Sequence, residues 1–371
     1  MLQQFRLLKI RQREIATPFF MPDATRGFVK FLSGNDLRRI GLEAAVVNTY
    51  HLLLRPGEKF FQKTDIKQWG NWDIPLLSDS GGYQVFSLLH KNSSLGKITD
   101  KGARFRSPLD GHWIELTPEK SIQFQFDLGV DMLVVLDDPP PNTYSKDKIK
   151  KAVERTLRWA RRSVQEYKRQ VESRKLIEEK RPLIFAVIQG GPYIDLRREC
   201  LQGLLKIEKK EKNRWFRGWD GFGFGGRHVD EKGNLLEEVL RATAEAIPEK
   251  AWKFALGIGT PEDMVKAVEM GWEMFDCVIP TREGRHGKIF VRTDKNILVQ
   301  GKPQYQTINI LNQKYADDMG VVDNFCQCEL CRQHNRSFLR HLFKYQDPLG
   351  MRLASLHNLK FYLDLMKELR K

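Results

Sequence analysis

Ile74-Pro-Leu-Leu-Ser-Asp-Ser-Gly-Gly-Tyr83 is a short apolar run closed by an aspartate and two glycines. Met274-Phe-Asp-Cys-Val-Ile-Pro-Thr-Arg282 repeats the design far along the chain. Runs of β-formers ended by Gly, Pro and polar residues read as buried parallel strands entering loops. A carboxylate there is badly placed for packing and well placed for chemistry, because reactive groups gather at the carboxyl ends of barrel strands. Eight segments share the pattern: 15–22, 44–51, 75–82, 132–139, 183–191, 221–226, 254–259 and 274–281. Helix-like stretches lie between most of them, with start signals such as Thr117-Pro-Glu-Lys and Thr260-Pro-Glu-Asp, where Thr caps and Pro takes the first turn. Strand alternating with helix implies right-handed crossovers and a parallel sheet. The count of eight predicts an α/β fold of the (β/α)8 TIM-barrel type rather than an open doubly wound sheet. Gly221-Phe-Gly-Phe-Gly-Gly226 has the outline of a dinucleotide fingerprint, but no capped helix with a suitably spaced acid follows, so it is discounted as a cofactor site.

The third connection is too long for one crossover helix. Within 96–116, two short runs flank Asp110-Gly111 and predict an inserted β-hairpin over the barrel mouth. The barrel is expected over 1–300, with a C-terminal zinc-binding subdomain and a last helix over 301–371. In that subdomain Cys326, Cys328, Cys331 and His357 offer four soft or borderline ligands, the donor set of tetrahedral structural zinc. His334 is the rival fourth ligand; His357 is preferred because its helix can clamp the cysteine loop to the barrel.

A hydrophobic content of 41% in 371 residues suffices for a sizeable core and excludes disorder. The excess of 62 Lys+Arg over 47 Asp+Glu gives +15, which favours a polyanionic partner; a solvated basic surface is the alternative. Much of that charge falls at 146–181 and after Arg332, in stretches that read as helices. No apolar stretch approaches bilayer length, and the start, Met-Leu-Gln-Gln-Phe-Arg, lacks a secretory pattern, so a cytoplasmic location is expected. Three of the five cysteines are crowded together, which argues for metal and against a disulfide framework.

Asp79 is followed by Gly81 and Gly82, which let backbone approach a ligand, and by the aromatic face of Tyr83. Asp137 and Asp138 end the fourth segment and Gln189 the fifth. Any one of them reads equally well as a helix cap, yet together they converge on one face of a barrel. Carboxylates and an amide beside a ring suit a planar heterocycle such as a purine-like base. Arg282, Arg285 and Lys288 follow Asp276 and are placed to engage phosphates while the aspartate works on a sugar; a surface loop with unpaired bases is the alternative.

Leu77-Ser-Asp-Ser-Gly-Gly-Tyr-Gln-Val-Phe-Ser87, Ile188-Gln-Gly-Gly, Gly257-Ile-Gly-Thr-Pro261, Phe275-Asp-Cys-Val-Ile-Pro-Thr-Arg282 and the Cys-Cys-Cys-His set resemble the tRNA-guanine transglycosylases, in order over 17–365. The resemblance implies a (β/α)8 barrel with a zinc subdomain that exchanges the wobble guanine of certain tRNAs for a 7-deazaguanine, in queuosine modification, with no cofactor consumed. It implies that Asp276 is the nucleophile at the ribose, forming a covalent tRNA adduct, and that Asp79 is the general acid/base. It assigns the base to Asp137, Gln189, Gly226, Leu256, Gly257 and a stacking Tyr83, and tRNA contacts to Arg282, Arg285 and Lys288. Family members commonly form homodimers through the zinc region, so a homodimer is expected. Three places depart from the usual bacterial pattern: Asp137-Asp138-Pro139, Arg227-His-Val-Asp-Glu231 and Leu256. They surround the 7-substituent, so both 7-aminomethyl-7-deazaguanine and queuine stay open as the incoming base. The archaeal branch, with its extra C-terminal RNA-binding domains, is the less expected one. A noncatalytic tRNA-binding subunit and the same exchange on DNA are the competing readings.

Overall fold

The computed structural model describes residues 5–371; residues 1–4, within the start read above for a secretory pattern, lie outside the described residues. Eight parallel strands build the barrel: β1 (Phe19–Pro22), β2 (Ala45–Asn48), β3 (Leu76–Asp79), β4 (Met132–Val134), β5 (Leu183–Ile188), β6 (Gly221–Phe224), β7 (Trp252–Ala255) and β8 (Met274–Cys277). Their order is β1-β8-β7-β6-β5-β4-β3-β2. The ring closes where the Ala24 N–H donates to the Val46 carbonyl at 2.7 Å, beside a single parallel bridge between Asp23 and Val46.

Period-two alternation sorts the strand residues into two cores. Phe19, Met21, Val46, Leu77, Met132, Val134, Phe185, Val187, Phe254 and Met274 fill the lumen, while Phe20, Val47, Leu76, Leu133, Ala186 and Phe275 pack outward into the larger core with the helices. A Cβ on Gly221 would stand 2.4 Å from the Phe185 ring, and one on Gly223 would stand 2.4 Å from Leu256. The glycine repeat of β6 thus makes room for its large neighbours and needs no nucleotide. Thr117 and Thr260 cap their helices as expected, accepting from the Lys120 and Asp263 N–H groups.

The first predicted strand, 15–22, is two elements. Arg13–Ala16 pairs antiparallel with Leu7–Ile10, and the barrel strand begins only after Pro18. Leu8, Ile10 and Ile15 join the lumen cluster, so the hairpin plugs the amino-terminal end of the barrel. Apolar character runs on across the proline, which hid the break. The insertion is the expected hairpin, Gly102–Arg106 with Trp113–Leu116, extended by a third strand, Gly96–Thr99.

Strand Lys288–Arg292 pairs with Tyr305–Asn309, and Ile289, Val291 and Ile310 form a third core with the three cysteines, Leu339 and Phe343. Helix Pro348–Leu369 ties this core to the barrel. Its Leu353 and Ala354 lie in the third core, and Leu356, Leu359, Phe361 and Tyr362 lie in the barrel core. The basic stretch 146–181 opens as the helix Lys146–Ser173, and most of the helix's cations are paired with acids: Lys146 with Asp195, Arg155 with Asp138, Arg158 with Asp100, Arg161 and Lys168 with Glu211, Arg162 with Glu119 and Arg169 with Glu166. The helix thus carries much of its charge as ion pairs with neighbouring elements. Among the described residues no helix is long and apolar enough to cross a membrane.

Candidate active site and metal centre

At the carboxyl ends of the strands lies a cavity of about 590 Å³, lined by Asp79 and Tyr83 on one side, Asp276, Leu256 and Gly257 on another, and Asp137, Gly226 and Arg227 between them. Asp79 ends β3. Its Oδ1 accepts from the backbone N–H groups of Thr49 at 3.1 Å and Gly81 at 3.0 Å, and its Oδ2 accepts from Asn48 Nδ2 at 2.5 Å. Gly81 adopts φ 76°, and a Cβ there would meet the Tyr50 N at 2.9 Å, so only glycine lets this N–H turn to the carboxylate. The Asp276 side chain, on β8, accepts one hydrogen bond among the described residues, from the Gly257 N–H at 3.0 Å.

Asp137 and Gln189 form a pair, Gln189 Nε2 donating to Asp137 Oδ2 at 2.6 Å. Asp137 lines the cavity and Gln189 stands behind it, with an Oε1 that is buried and has no partner among the described residues. An amide nitrogen carries two N–H groups, and Asp137 takes one of them. Tyr83 is 53% exposed at the rim, the condition for stacking on a guest. Arg282 also lines the cavity, on the short helix Ile279–Arg285 rather than on a loop; Arg285 and Lys288 lie outside the lining, and Lys288 is 3.5 Å from Glu283.

Burial pushes the carboxyls of Asp79, Asp137 and Asp276 up to about 7, from 3.8 for an ordinary aspartate. The unfolded chain therefore releases these protons above about pH 4 while the folded chain keeps them to about pH 7. Folding stability from these groups falls as pH rises through that window and is level above it. Asp276→Asn preserves the acceptor for Gly257 and removes one such cost. Its Tm is expected to exceed that of the wild type by about 2–5 °C at pH 8 and to match it at pH 4. An equal shift at both pH values in thermal unfolding would sink this reading.

Three residues absent from the sequence expectations belong to the site. Asp23, one residue past β1, lines the cavity as a fourth carboxylate beside Asp79, Asp137 and Asp276, and its charge acts on Asp79 and Asp276. It follows an apolar run as Asp79 does, so the signal was present in Phe-Phe-Met-Pro-Asp. Asn48 holds Asp79, and only the parallel register Asn48↔Asp79 reveals the pairing. Arg197, buried, donates to the carbonyls of Ile188, Gly191 and Gly225 at 2.8–3.0 Å and lies over the Phe224 ring at 3.6 Å. It ties together the loops that follow β5 and β6.

Away from the cavity, Cys326, Cys328, Cys331 and His357 are all buried, and their ligand atoms lie within 4.8 Å of one another. His357 Nδ1 stands 3.5 Å from Cys328 Sγ and 3.2 Å from Cys331 Sγ. A tetrahedral ion with bonds of about 2.3 Å to sulfur and 2.0 Å to nitrogen needs an S···N edge of roughly 3.5 Å. His357 Nε2 is 2.7 Å from the Phe290 carbonyl; its N–H donates there, leaving Nδ1 as the lone-pair ligand. His334 stacks on Phe338 and is outside the cluster. The four residues can hold a metal ion.

A sequence model of the family described as queuine tRNA-ribosyltransferase matches residues 4–371. The queuine tRNA-ribosyltransferase of Idiomarina loihiensis is 38% identical over 357 residues, 96% of this chain and 86% of the relative. That of Halothermothrix orenii is 37% identical over 364 residues, 98% and 88% of the two chains. That of a Psychrobacter species is 39% identical over 364 residues, 97% and 87%. On its sequence from end to end and on the barrel that carries it, the chain belongs to the queuine tRNA-ribosyltransferase family.

Proposed function

We propose that this chain exchanges the wobble guanine of tRNAs with a GUN anticodon for a 7-deazaguanine, through a covalent link between Asp276 and the ribose. The observation that carries the reading is that Asp276 and Asp79 open into one cavity that is also lined by Asp137, which Gln189 holds from behind. An Asp276 oxygen bonds to the anomeric carbon as the bond from that carbon to guanine N9 breaks. Asp79, whose carboxyl lies near 7 through burial, delivers the proton that the departing base takes up. The incoming base returns a proton to Asp79 and displaces Asp276. Two displacements retain the anomeric configuration, by the logic of retaining glycosidases.

Asp137 suits the amidine edge of the base, Gln189 and the Gly226 backbone its carbonyl, Leu256 and Gly257 the side toward the ribose, and Tyr83 one face. Arg282, Arg285 and Lys288 suit the flanking phosphates of the anticodon loop. The metal is zinc and structural: four protein ligands would hold it, and none of them reaches the cavity. The relatives' name points to tRNA as substrate and so to a cytoplasmic enzyme, and the working unit is a homodimer. The purified chain is expected to place labelled guanine into a wobble-guanine tRNA and not into duplex DNA. No uptake into that tRNA overturns the base-exchange reading, and equal uptake into DNA overturns its restriction to tRNA.

A further inference from the structure

The strand register places Asp23 between the two acids already described. Asp276 on β8 is level with Met21 on β1, so Asp23, two residues on and on the same side of the strand, is one lumen layer nearer the mouth. On its other side Asp23 is level with Val46, which pairs with Leu77 on β3, two residues before Asp79. The three carboxylates climb like a staircase across the closing seam of the barrel, with Asp23 as the middle step.

Asp23 lines the cavity, and among the described residues only Thr25 hydrogen-bonds to its side chain, the hydroxyl reaching Oδ1 at 2.5 Å. Among the described residues no Lys, Arg or His is within salt-bridge distance of Asp23; His51 and Arg285 act on it only at longer range, and burial raises its carboxyl. A half-buried carboxylate beside two others is costly unless a ligand brings it a donor. A third carboxylate is not needed for the two displacements, so its use lies in recognition.

The nature of the donor follows from the proposed reaction, on which this inference rests. The sugar at Asp276 is internal to a polynucleotide, and its 3′ and 5′ oxygens carry phosphates. Those oxygens are acceptors, and a carboxylate repels the charge beside them. The 2′-hydroxyl is the one donor the sugar offers, and it neighbours the carbon that Asp276 attacks. We propose that Asp23 accepts a hydrogen bond from the 2′-hydroxyl of the exchanged nucleotide, which makes the site select ribose over deoxyribose. Hydrogen bonds to a sugar 2-hydroxyl strengthen as an oxocarbenium-like transition state forms, so the contact acts on kcat as well as on binding.

The test compares kcat/KM for guanine exchange on an anticodon stem-loop with that on the same RNA carrying one 2′-deoxyguanosine at the exchanged position. The wild type is expected to favour the all-ribose RNA about 10- to 100-fold, the effect of losing a hydrogen bond to a charged acceptor. Asp23→Ala is expected to bring the ratio to within about threefold of unity, with Asp23→Asn, which keeps an acceptor, between the two. Because the readout is a ratio on one preparation, partial unfolding of a variant cancels. A wild-type ratio near one, or a ratio that Asp23→Ala leaves unchanged, overturns the proposal while the base-exchange reading stands. Absence of exchange on both RNAs by the wild type overturns that reading, and the proposal with it.

Discussion

Asp276→Asn is expected to lower guanine exchange by a factor on the order of 10⁴ or more, the scale seen when a covalent nucleophile is removed. The tRNA adduct that survives denaturing electrophoresis should vanish with it. An amide oxygen is a poor nucleophile at a sugar carbon, and no neighbouring carboxylate is placed to substitute: Asp79 is held by Asn48 and two backbone N–H groups, and Asp23 by Thr25 one layer nearer the mouth. The variant keeps the Gly257 hydrogen bond, and the gain in Tm expected at pH 8 separates lost chemistry from lost folding. An adduct persisting in Asp276→Asn, or exchange within tenfold of the wild type, would remove Asp276 from the nucleophile's role.

The parts of this fold that could be read from sequence are those whose cause is local. Thr117 and Thr260 announce their helices because capping is a matter of four residues. Asp79 and Asp276 stand out because a carboxylate ending an apolar run has no packing reason to be there. The cysteine spacing carries its own geometry, and the four ligands do converge. What escaped was set by neighbours distant in sequence. Pro18 divides an unbroken apolar run because the residues before it pair with Leu7–Ile10 instead of entering the barrel. Asp23 ends an apolar run as Asp79 does, but its place beside Asp276 and Asp79 is set by a register that puts it between β8 and β2. Arg197 reads as an ordinary helix cation until its three carbonyl partners, at the ends of β5 and β6 and in the loops that follow them, are known. The positive charge of 146–181 reads as unpaired in the sequence because its compensating acids, Asp100, Glu119, Asp127, Asp138 and Glu211, lie far from it along the chain or on other elements.

Cys328→Ser, or metal removal by a strong chelator, is expected to lower the Tm by on the order of 10 °C or more and to reduce exchange as well, although none of the four ligands reaches the cavity. The stability effect follows from the third core, in which the cysteines themselves are packing residues and three buried sulfurs and an imidazole face one another across a site that a metal ion would hold together. The effect on activity follows from the helix that carries His357. The next residue, Asn358, donates to the carbonyls of Pro280 and Lys288 at 3.0 Å, and Tyr362 donates to the Gly259 carbonyl at 2.6 Å. Pro280 and Gly259 belong to the segments just after Asp276 and just after Gly257, the donor to its carboxylate. A Cβ on Gly284 would stand 2.8 Å from the Ser355 backbone, so the helix bearing Arg282 is pressed directly on the helix bearing the ligand. Loss of a bound ion would loosen the helix at His357, one contact away from the walls of the pocket around Asp276. Metal analysis, thermal unfolding and exchange rates on one preparation test this chain of effects. Native protein without bound metal, or a Cys328→Ser variant with unchanged metal content and Tm, rules out the four-ligand centre; a destabilised variant with undiminished exchange rules out its coupling to Asp276.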